Sequence, residues 1–365
     1  MQDYKVSNEK VTKLLNEWYQ EMRAQQILKA TQLKKEIDTQ INALAEQDQN
    51  LLLYYSLLDF RYKLLTDDFG IGKDSFDRIE ELNTPSDQML NYYYHFFKAI
   101  HSTVLTNFSE AKEHYTKAEE MLNHIPDILE RAEFYYRFST FNYQTYQPLV
   151  AIKYADKAKE IFAKHKGYDI NVASCENVYG LACVDLKQYE LAEESFNSSI
   201  NILNKMDEKK LILRVRSNLG WLYASQNLST LAIRHLSEVT HNIPNHFKAL
   251  FSEAEENYKL GNNEQAKELI TRGLDISHKI NNVEYLHRFR ILQKLNENVP
   301  ATDLEVVVKE GLSYFEKENL LECMQEYTEK LASKYYEENN TVKASEYYYR
   351  SVNVKKQYFE KGALK

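Results

Sequence analysis

A spaced frame of small and large residues recurs through most of the chain and restricts the folds that it can adopt. A small residue is followed twelve positions later by an alanine, four later by a large residue and three later by another small one. The clearest copy is Gly180, Ala192, Phe196 and Ser199. Two antiparallel helices cross closely only where small residues face each other and a large one fills the gap beside them. Each copy therefore predicts one helical hairpin.

The spacing of this frame is that of the tetratricopeptide repeat. Its central alanines are Ala111, Ala151, Ala192, Ala232, Ala266 and Ala344. One step equals the repeat's 34-residue period and most others are about 40 residues, which indicates lengthened helices or loops. The widest gap has room for a degenerate copy around "ATDLEVVVKEGLSYF". A hairpin cannot bury its apolar face alone, so we predict about seven hairpins stacked in a right-handed superhelix.

The residues before the array follow a different pattern. Apolar side chains at helical spacing mark three successive amphipathic helices, which predict a small bundle over 1–66. Their positions are Val11, Leu14, Leu15, Trp18 and Met22, then Ile27, Leu33, Ile37, Ile41 and Leu44, then Leu51, Tyr54, Tyr55, Leu58, Tyr62 and Leu65. The stretch "TDDFGIGKDS" holds two glycines and little apolar content. It predicts a linker or hinge over 67–90, and the repeats then occupy 91–365.

Composition supports an all-α fold and excludes several classes of partner. Only 9 Gly and 5 Pro leave few turn formers for a sheet, whereas helix formers are abundant. A net charge of -8 disfavours nucleic acid and anionic membranes. The chain starts without the apolar core of a signal peptide, and no window reaches about 18 uninterrupted apolar residues. We therefore expect a cytoplasmic protein that binds neither nucleic acid nor membrane.

The three cysteines and the ten histidines suggest no catalytic or metal site. Cys175, Cys183 and Cys323 form no CxxC pair, so we expect them to be small core residues. The histidines are scattered without an HExxH motif, so we expect no metal site. The chain also lacks a Walker loop and a GxSxG elbow. An independent hydrolase site is not visible in these patterns.

The first helix of each hairpin is expected to line a concave groove suited to an extended peptide. Asparagine bonds both backbone N–H and C=O groups, acids pair with basic side chains, and aromatic rings cover apolar ones. The residues that we assign to peptide binding are Tyr136, Asn177, Asp185, Asn218, Trp221, Phe251 and Glu255. The alternative, which applies above all to the aromatic residues, is that they only pack neighbouring hairpins. A buried amide needs partners, so Asn218 favours binding.

The predicted three-helix bundle and the repeats that follow it together resemble a known family, the Rap proteins of spore-forming bacilli. The resemblance covers essentially the whole chain and implies a three-helix bundle that binds response regulators, followed by tetratricopeptide repeats that bind signalling pentapeptides called Phr. Some members dephosphorylate the phospho-aspartate of a receiver domain, and others block a DNA-binding response regulator. The segments that carry it are "LNEWY", "DQNLLLYYSLLDFR", "ERAEFYYRFS", "DLKQYELA", "SNLGWLYASQN" and "ASKYYEENNTVKASEYYYRSVNVKKQ".

The resemblance also implies roles for single residues. Matched by motif, the family's catalytic glutamine falls on Gln49, and Asp48 and Phe60 belong to the surface that contacts the target. The groove aspartate and asparagine match Asp185 and Asn218. One departure is the segment "YLHRFRIL", which is basic where many relatives carry acids, so the matching peptide is expected to differ from theirs.

A glutamine suits the reaction that the resemblance implies. The phospho-aspartate sits beside a divalent ion, Mg²⁺, held by the receiver domain, so the chain needs no cofactor of its own, only a group that positions a water. A carboxamide does so without adding negative charge. We expect Gln49 at the start of the third helix, where the dipole and open N–H groups attract an anion.

One other function stays open at this point. The chain is either such a phosphatase or a non-catalytic inhibitor that sequesters a response regulator, because a glutamine at position 49 is compatible with both. A generic co-chaperone-like array would need lysines and arginines around an asparagine. Asp185 and Glu255 make the predicted groove too acidic for that third function.

Overall fold

Helices joined by short turns make up the described chain. The computed structural model describes residues 2–45, 48–66, 71–82 and 87–362, and within these ranges it contains no strand. The predicted all-α class is confirmed. The helices are α1 (Gln2–Arg23), α2 (Ile27–Ala45), α3 (Gln49–Thr66), α4 (Asp77–Glu80), α5 (Gln88–Val104), α6 (Phe108–Leu122), α7 (Ile128–Gln144), α8 (Pro148–Phe162), α9 (Asp169–Asp185), α10 (Tyr189–Lys205), α11 (Lys209–Ser225), α12 (Ser229–Asn242), α13 (Phe247–Lys259), α14 (Asn263–Lys279), α15 (Val283–Asn296), α16 (Ala301–Lys317), α17 (Leu321–Glu337) and α18 (Thr341–Gly362), with a 3-10 helix at Lys73–Phe76.

The helices from α5 to α18 pair into seven consecutive hairpins, which confirms the predicted number of repeats. The degenerate copy is the hairpin α15–α16, and its quoted segment forms α16. In each hairpin a residue with positive φ follows the first helix, the usual way to satisfy the last carbonyls and turn the chain. These residues are Thr106, Tyr146, Lys187, Asn227, Gly261, Asn298 and Asn339.

The small positions of the frame are places where two helices touch. A Cβ added to Gly180 would lie 2.7 Å from the Phe196 ring, and one added to Gly220 would lie 2.5 Å from Leu236 Cγ. Both distances are too short for any side chain. The large residue sixteen positions after each glycine fills the space beside it, as the frame predicts. The last copy differs, because Tyr348 on α18 is 41% exposed.

The first compact unit, Met1–Asp207, holds α1–α3 together with the first three hairpins. Trp18 of α1 is fully buried against Tyr55 and Tyr62 of α3. The three helices predicted for the N-terminal bundle are present at the expected positions. The division into 1–66, 67–90 and 91–365 stays a prediction, and the compact units divide the chain at another place.

Part of the predicted linker packs into the first unit. Phe76 is fully buried and stacks on His101 of α5, while the backbone oxygen of Gly72 lies 2.9 Å from His101 Nε2. Lys98 of α5 pairs with Glu80 of α4 at 2.5 Å. Residues 67–70 and 83–86 of the predicted linker, including most of "TDDFG", lie outside the described residues.

The three cysteines are all buried and unpaired, which agrees with their prediction as core residues. Burial raises the pKa of Cys175, raises that of Cys183 to about 11 and raises that of Cys323 to about 12. At neutral pH all three are therefore protonated thiols of low reactivity.

The second compact unit, Glu208–Lys365, holds α11–α18. Around Glu305 of α16, its last two hairpins are joined by hydrogen bonds to a single carboxylate. That carboxylate accepts hydrogen bonds from Tyr335 of α17 and Tyr347 of α18, the latter at 2.5 Å. Lys309 lies 2.8 Å and Lys343 3.3 Å away. Burial opposes ionisation, but the hydrogen bonds from Lys309, Tyr335 and Tyr347 outweigh it and lower the pKa of Glu305 to about 2.

We expect the Glu305 cluster to stabilise the protein in a pH-dependent way. Because the folded pKa lies below that of an unfolded glutamate, the contribution is present above about pH 4.5 and is lost as pH falls toward 2. Glu305→Gln should therefore lower the free energy of unfolding at pH 6 and lower it much less at pH 3. Urea unfolding of both proteins at the two pH values measures this. An equal loss at both pH values would contradict the assignment.

Candidate functional site

Gln49 is the first residue of α3, and Asp48 fixes the start of that helix. The Asp48 carboxylate oxygen Oδ1 accepts hydrogen bonds from the backbone N–H groups of Asn50 and Leu51, each at 3.1 Å. The Asp48 carbonyl accepts the first intrahelical bond, from Leu52, at 3.0 Å. This is the arrangement of an N-cap. It holds the Gln49 side chain at the surface, where it is exposed.

One expectation about this helix start needs correction. The sequence suggested that open N–H groups at the start of α3 attract an anion, but Asp48 occupies those of Asn50 and Leu51. A negative charge already caps the positive end of the helix dipole. The structure therefore gives Asp48 a structural role that the motif match did not show, beside its predicted contact with the target.

Phe60 differs from the expectation that it contacts a target. It is only 2% exposed and packs edge-on against Phe76 and His101, with ring centroids 5.2 and 5.7 Å away. The 3-10 helix that carries Phe76 covers the face of α3 on which Phe60 lies. In this structure Phe60 presents almost no surface to a partner.

Two buried ion pairs link the N-terminal helices α1 and α3 to α7, and sequence reasoning missed both. In the first, Arg23 of α1 donates to Glu130 at 2.9 Å, and their side chains are 3% and 0% exposed. Tyr19 and Tyr92 donate to the other oxygen of Glu130, at 3.0 and 3.1 Å. Burial raises the pKa of Glu130, and Arg23 opposes that rise. The charge on Glu130 thus depends on Arg23.

The second buried pair joins Arg61 of α3 to Glu133 of α7 at 3.0 Å, and both side chains are fully buried. Arg137 donates to the same Glu133 oxygen at 2.9 Å. Burial opposes ionisation of Glu133, but Arg137 and Arg61 outweigh it and lower the pKa of Glu133. Among the described residues, Arg61 Nε and Nη1 and Glu133 Oε2 find no hydrogen-bond partner. No local sequence signal marks this pair, because Arg61 and Glu133 are 72 residues apart.

Three of the predicted peptide-binding residues lie in the first unit. Tyr136 is half-buried, with the Arg137 guanidinium 5.2 Å from its ring centroid. Asn177 is half-buried and Asp185 is exposed, and both lie on α9. They are eight residues apart, so both side chains reach one broad face of that helix. Asp185 is thus placed where a basic group can approach it.

The other four predicted peptide-binding residues lie in the second unit. Asn218 is half-buried and Trp221 is 36% exposed, one turn apart on α11. Phe251 of α13 is only 2% exposed because it packs on Tyr285 and Phe289 of α15. For Phe251 the packing alternative describes this structure, and the residue presents almost no surface to a ligand.

Glu255 has a partner within the chain, which lowers the acidity expected for the predicted peptide-binding surface of the second unit. Lys330 of α17 donates to its carboxylate. Burial opposes ionisation, but Lys330 outweighs it and lowers the pKa of Glu255 to about 2. Arg288 of α15 lies over the Phe251 ring, 4.4 Å from its centroid, and donates to Tyr327 at 3.2 Å. The charge of Glu255 is therefore compensated, and the second unit presents a less acidic face than the sequence suggested.

The described residues give no sign of a metal site or of a membrane span. No three His, Cys, Asp or Glu side chains of the described chain come together in a way that could hold a metal ion. Among the described helices, none is both long and apolar enough to cross a membrane.

Comparison with known proteins identifies the family. Residues 5–67 match the family described as response regulator aspartate phosphatase H, N terminal. Regulatory protein RapF of Bacillus subtilis strain 168 is 28% identical over 372 residues, which cover 96% of this chain and 95% of RapF. A crystal structure of a Rap protein complexed with competence and sporulation factor superimposes with a TM-score of 0.83 at 26% identity, over 97% of this chain and 99% of that one. The chain belongs to the Rap family.

Rap relatives carry two kinds of name. Response regulator aspartate phosphatase I of the same strain is 27% identical over 375 residues, covering 99% of this chain and 94% of that relative. RapF is named only as a regulatory protein. The structure of apo RapI superimposes with a TM-score of 0.67 at 26% identity, over 96% of this chain and 98% of RapI. Family membership thus leaves the catalytic question to the individual Rap protein.

Proposed function

We propose that this Rap protein binds a response regulator through the exposed start of α3 and hydrolyses the regulator's phospho-aspartate, with Gln49 as the catalytic residue. The observation that carries the proposal is the position of Gln49, which is exposed on the first turn of α3 while Asp48 fixes where the helix begins. A rigid helix end is a precise support for a group whose task is positioning.

The carboxamide of Gln49 has the groups that hydrolysis of a phospho-aspartate requires. Its carbonyl oxygen accepts a hydrogen bond from the attacking water, and its NH₂ group donates to a phosphoryl oxygen. The water is held in line with the scissile bond, and no negative charge is added near the phosphoryl group. The divalent ion that neutralises the phosphoryl charge is proposed to belong to the receiver domain of the response regulator.

We propose further that a signalling pentapeptide bound by the repeats controls this activity. A relative of known structure was crystallised with competence and sporulation factor. In this chain α7 carries Tyr136, a predicted peptide contact, and also Glu130 and Glu133, which hold α1 and α3 through buried ion pairs. A ligand that shifts α7 therefore acts on the helices that support Gln49.

Phosphate release decides between hydrolysis and sequestration. The purified protein is mixed with phosphorylated receiver domains, and inorganic phosphate is measured over time against a sample without the protein. We expect faster release with the target receiver. A protein that binds the regulator and blocks its DNA binding without releasing phosphate would be the non-catalytic inhibitor, the alternative that the name of RapF keeps open.

Peptide binding is expected to depend on Asp185 and Asn218. A panel of pentapeptides with one basic residue is screened by isothermal titration, and the tightest is kept. Asp185→Asn and Asn218→Ala should each weaken it about tenfold, the effect of losing one charge-assisted or buried hydrogen bond. Asp275→Asn and Asn201→Ala, exposed on second helices of hairpins, are matched controls. Unchanged affinity in both test variants would count against these assignments.

A further inference from the structure

A small cavity between α3 and the segment that follows it is lined by side chains whose unused groups are hydrogen-bond donors. Its volume is about 50 Å³, enough for a few waters or one carboxylate group. Its lining residues are Tyr55, Ser56, Asp59, Phe60, Lys63, Ser75, Arg78 and Ile79. None of the roles proposed above uses this cavity.

The acid and the phenol in the lining are already engaged. Asp59 lies 3.2 Å from Lys34 and 3.0 Å from Lys63, so two lysines compensate its charge. The Tyr55 hydroxyl donates to Asp38 at 2.7 Å and accepts from Lys34 at 2.9 Å. Neither residue therefore makes the cavity attractive to a cation.

The remaining polar groups of the cavity offer protons. Ser56 is 6% exposed, and its hydroxyl finds no partner among the described residues. Ser75 accepts from the Gly72 N–H at 2.8 Å, which leaves its own O–H to donate. Arg78 makes no ion pair within the described chain. Two hydroxyls and a guanidinium above the apolar floor of Phe60 and Ile79 form a donor set that suits an oxyanion.

The cavity also lies on the same face of α3 as Gln49. Seven residues make about two helical turns, so Ser56 lies below Gln49, about 10 Å further along the helix. Lys63 follows after two more turns on that face. A protein that covers Gln49 therefore has the cavity within its footprint.

We propose that this cavity binds the carboxylate of an aspartate or glutamate side chain of the bound response regulator. The identity of the partner rests on the proposed function, whereas the anion preference of the cavity does not. Arg78 at the rim pairs with the carboxylate, and Ser56 and Ser75 donate to its oxygens. The contact adds affinity and fixes the orientation of the partner relative to Gln49.

The anion preference is tested on the full chain without any partner. Inorganic phosphate and acetate are titrated by calorimetry against potassium chloride of equal ionic strength. We expect saturable binding of both anions, with dissociation constants about tenfold weaker in Arg78→Ala and in Ser56→Ala. Arg290→Ala, which removes an exposed arginine, and Ser277→Ala, which removes another buried hydroxyl without a partner, are the controls. No saturable binding, or equal binding by all variants, overturns the anion site.

The partner is tested by affinity, whether or not phosphate is released. Dissociation constants for the response regulator are measured by surface plasmon resonance. We expect Arg78→Ala to weaken binding about tenfold and Arg290→Ala to leave it unchanged. If Arg78→Ala loses phosphate binding but keeps its affinity for the regulator, the cavity takes a free anion and the protein carboxylate is overturned. Loss of affinity in a protein that never releases phosphate supports the cavity and contradicts only the catalytic proposal.

Discussion

Replacing Gln49 by alanine is expected to lower phosphate release from the bound receiver at least about a hundredfold, with affinity for the response regulator nearly unchanged. The reason is that the carboxamide acts on the water and the phosphoryl group, which matter only during hydrolysis. Gln49 is exposed and is the first residue of α3. The fold should therefore tolerate its loss.

Three companion variants make the Gln49 result specific. Asn50→Ala removes the neighbouring exposed amide and should release phosphate at the normal rate. Gln49→Glu keeps the shape but adds a charge that repels the phosphoryl group, and it should be as inactive as the alanine variant. Asp48→Asn keeps a side chain that caps the helix but removes its negative charge. It therefore distinguishes an effect of the cap from an effect of the charge. Turnover by Gln49→Ala equal to that of the unmodified protein would end the catalytic assignment.

Replacing Arg23 by methionine is expected to lower the free energy of unfolding by about 3 to 5 kcal/mol, the usual effect of removing one partner of a buried ion pair. The cost arises because Glu130, fully buried, then has only the hydroxyls of Tyr19 and Tyr92 as hydrogen-bond partners among the described residues. The pKa of Glu130, already raised by burial, should rise further once Arg23 no longer opposes that rise. Urea unfolding measures the loss.

The Arg23 prediction has an internal check. Arg23→Met combined with Glu130→Gln removes the buried charge altogether and should recover part of the lost stability. Lys117→Met breaks an exposed pair with Glu113 and should leave stability unchanged. If the double variant is no more stable than Arg23→Met, the buried charge of Glu130 is not the source of the loss.

The hairpins were predictable because their signal is local. The contact of Gly180 with Phe196 joins the two helices of a single hairpin, and the small and large residues of the frame repeat at fixed spacing. The start of α3 beside Gln49 was predictable for the same reason, since an aspartate before an apolar run is a helix start signal.

The charges of the site were not predictable, because their partners are distant in sequence. Lys330, which compensates Glu255, lies 75 residues away. Arg61 meets Glu133 across 72 residues. Phe60 and Glu255 read as surface groups until the elements that cover or pair with them are placed. Tertiary packing, not helix periodicity, decides which polar and aromatic side chains remain accessible.

The buried cysteines can report how often each compact unit opens locally. Cys175 and Cys183 lie in the first compact unit and Cys323 in the second, and a protonated, enclosed thiol reacts with a maleimide only when its surroundings open. The rate of alkylation at each cysteine, measured by mass spectrometry, therefore reports the rate of local opening in each unit separately. Such a measurement uses the native cysteines and requires no mutation.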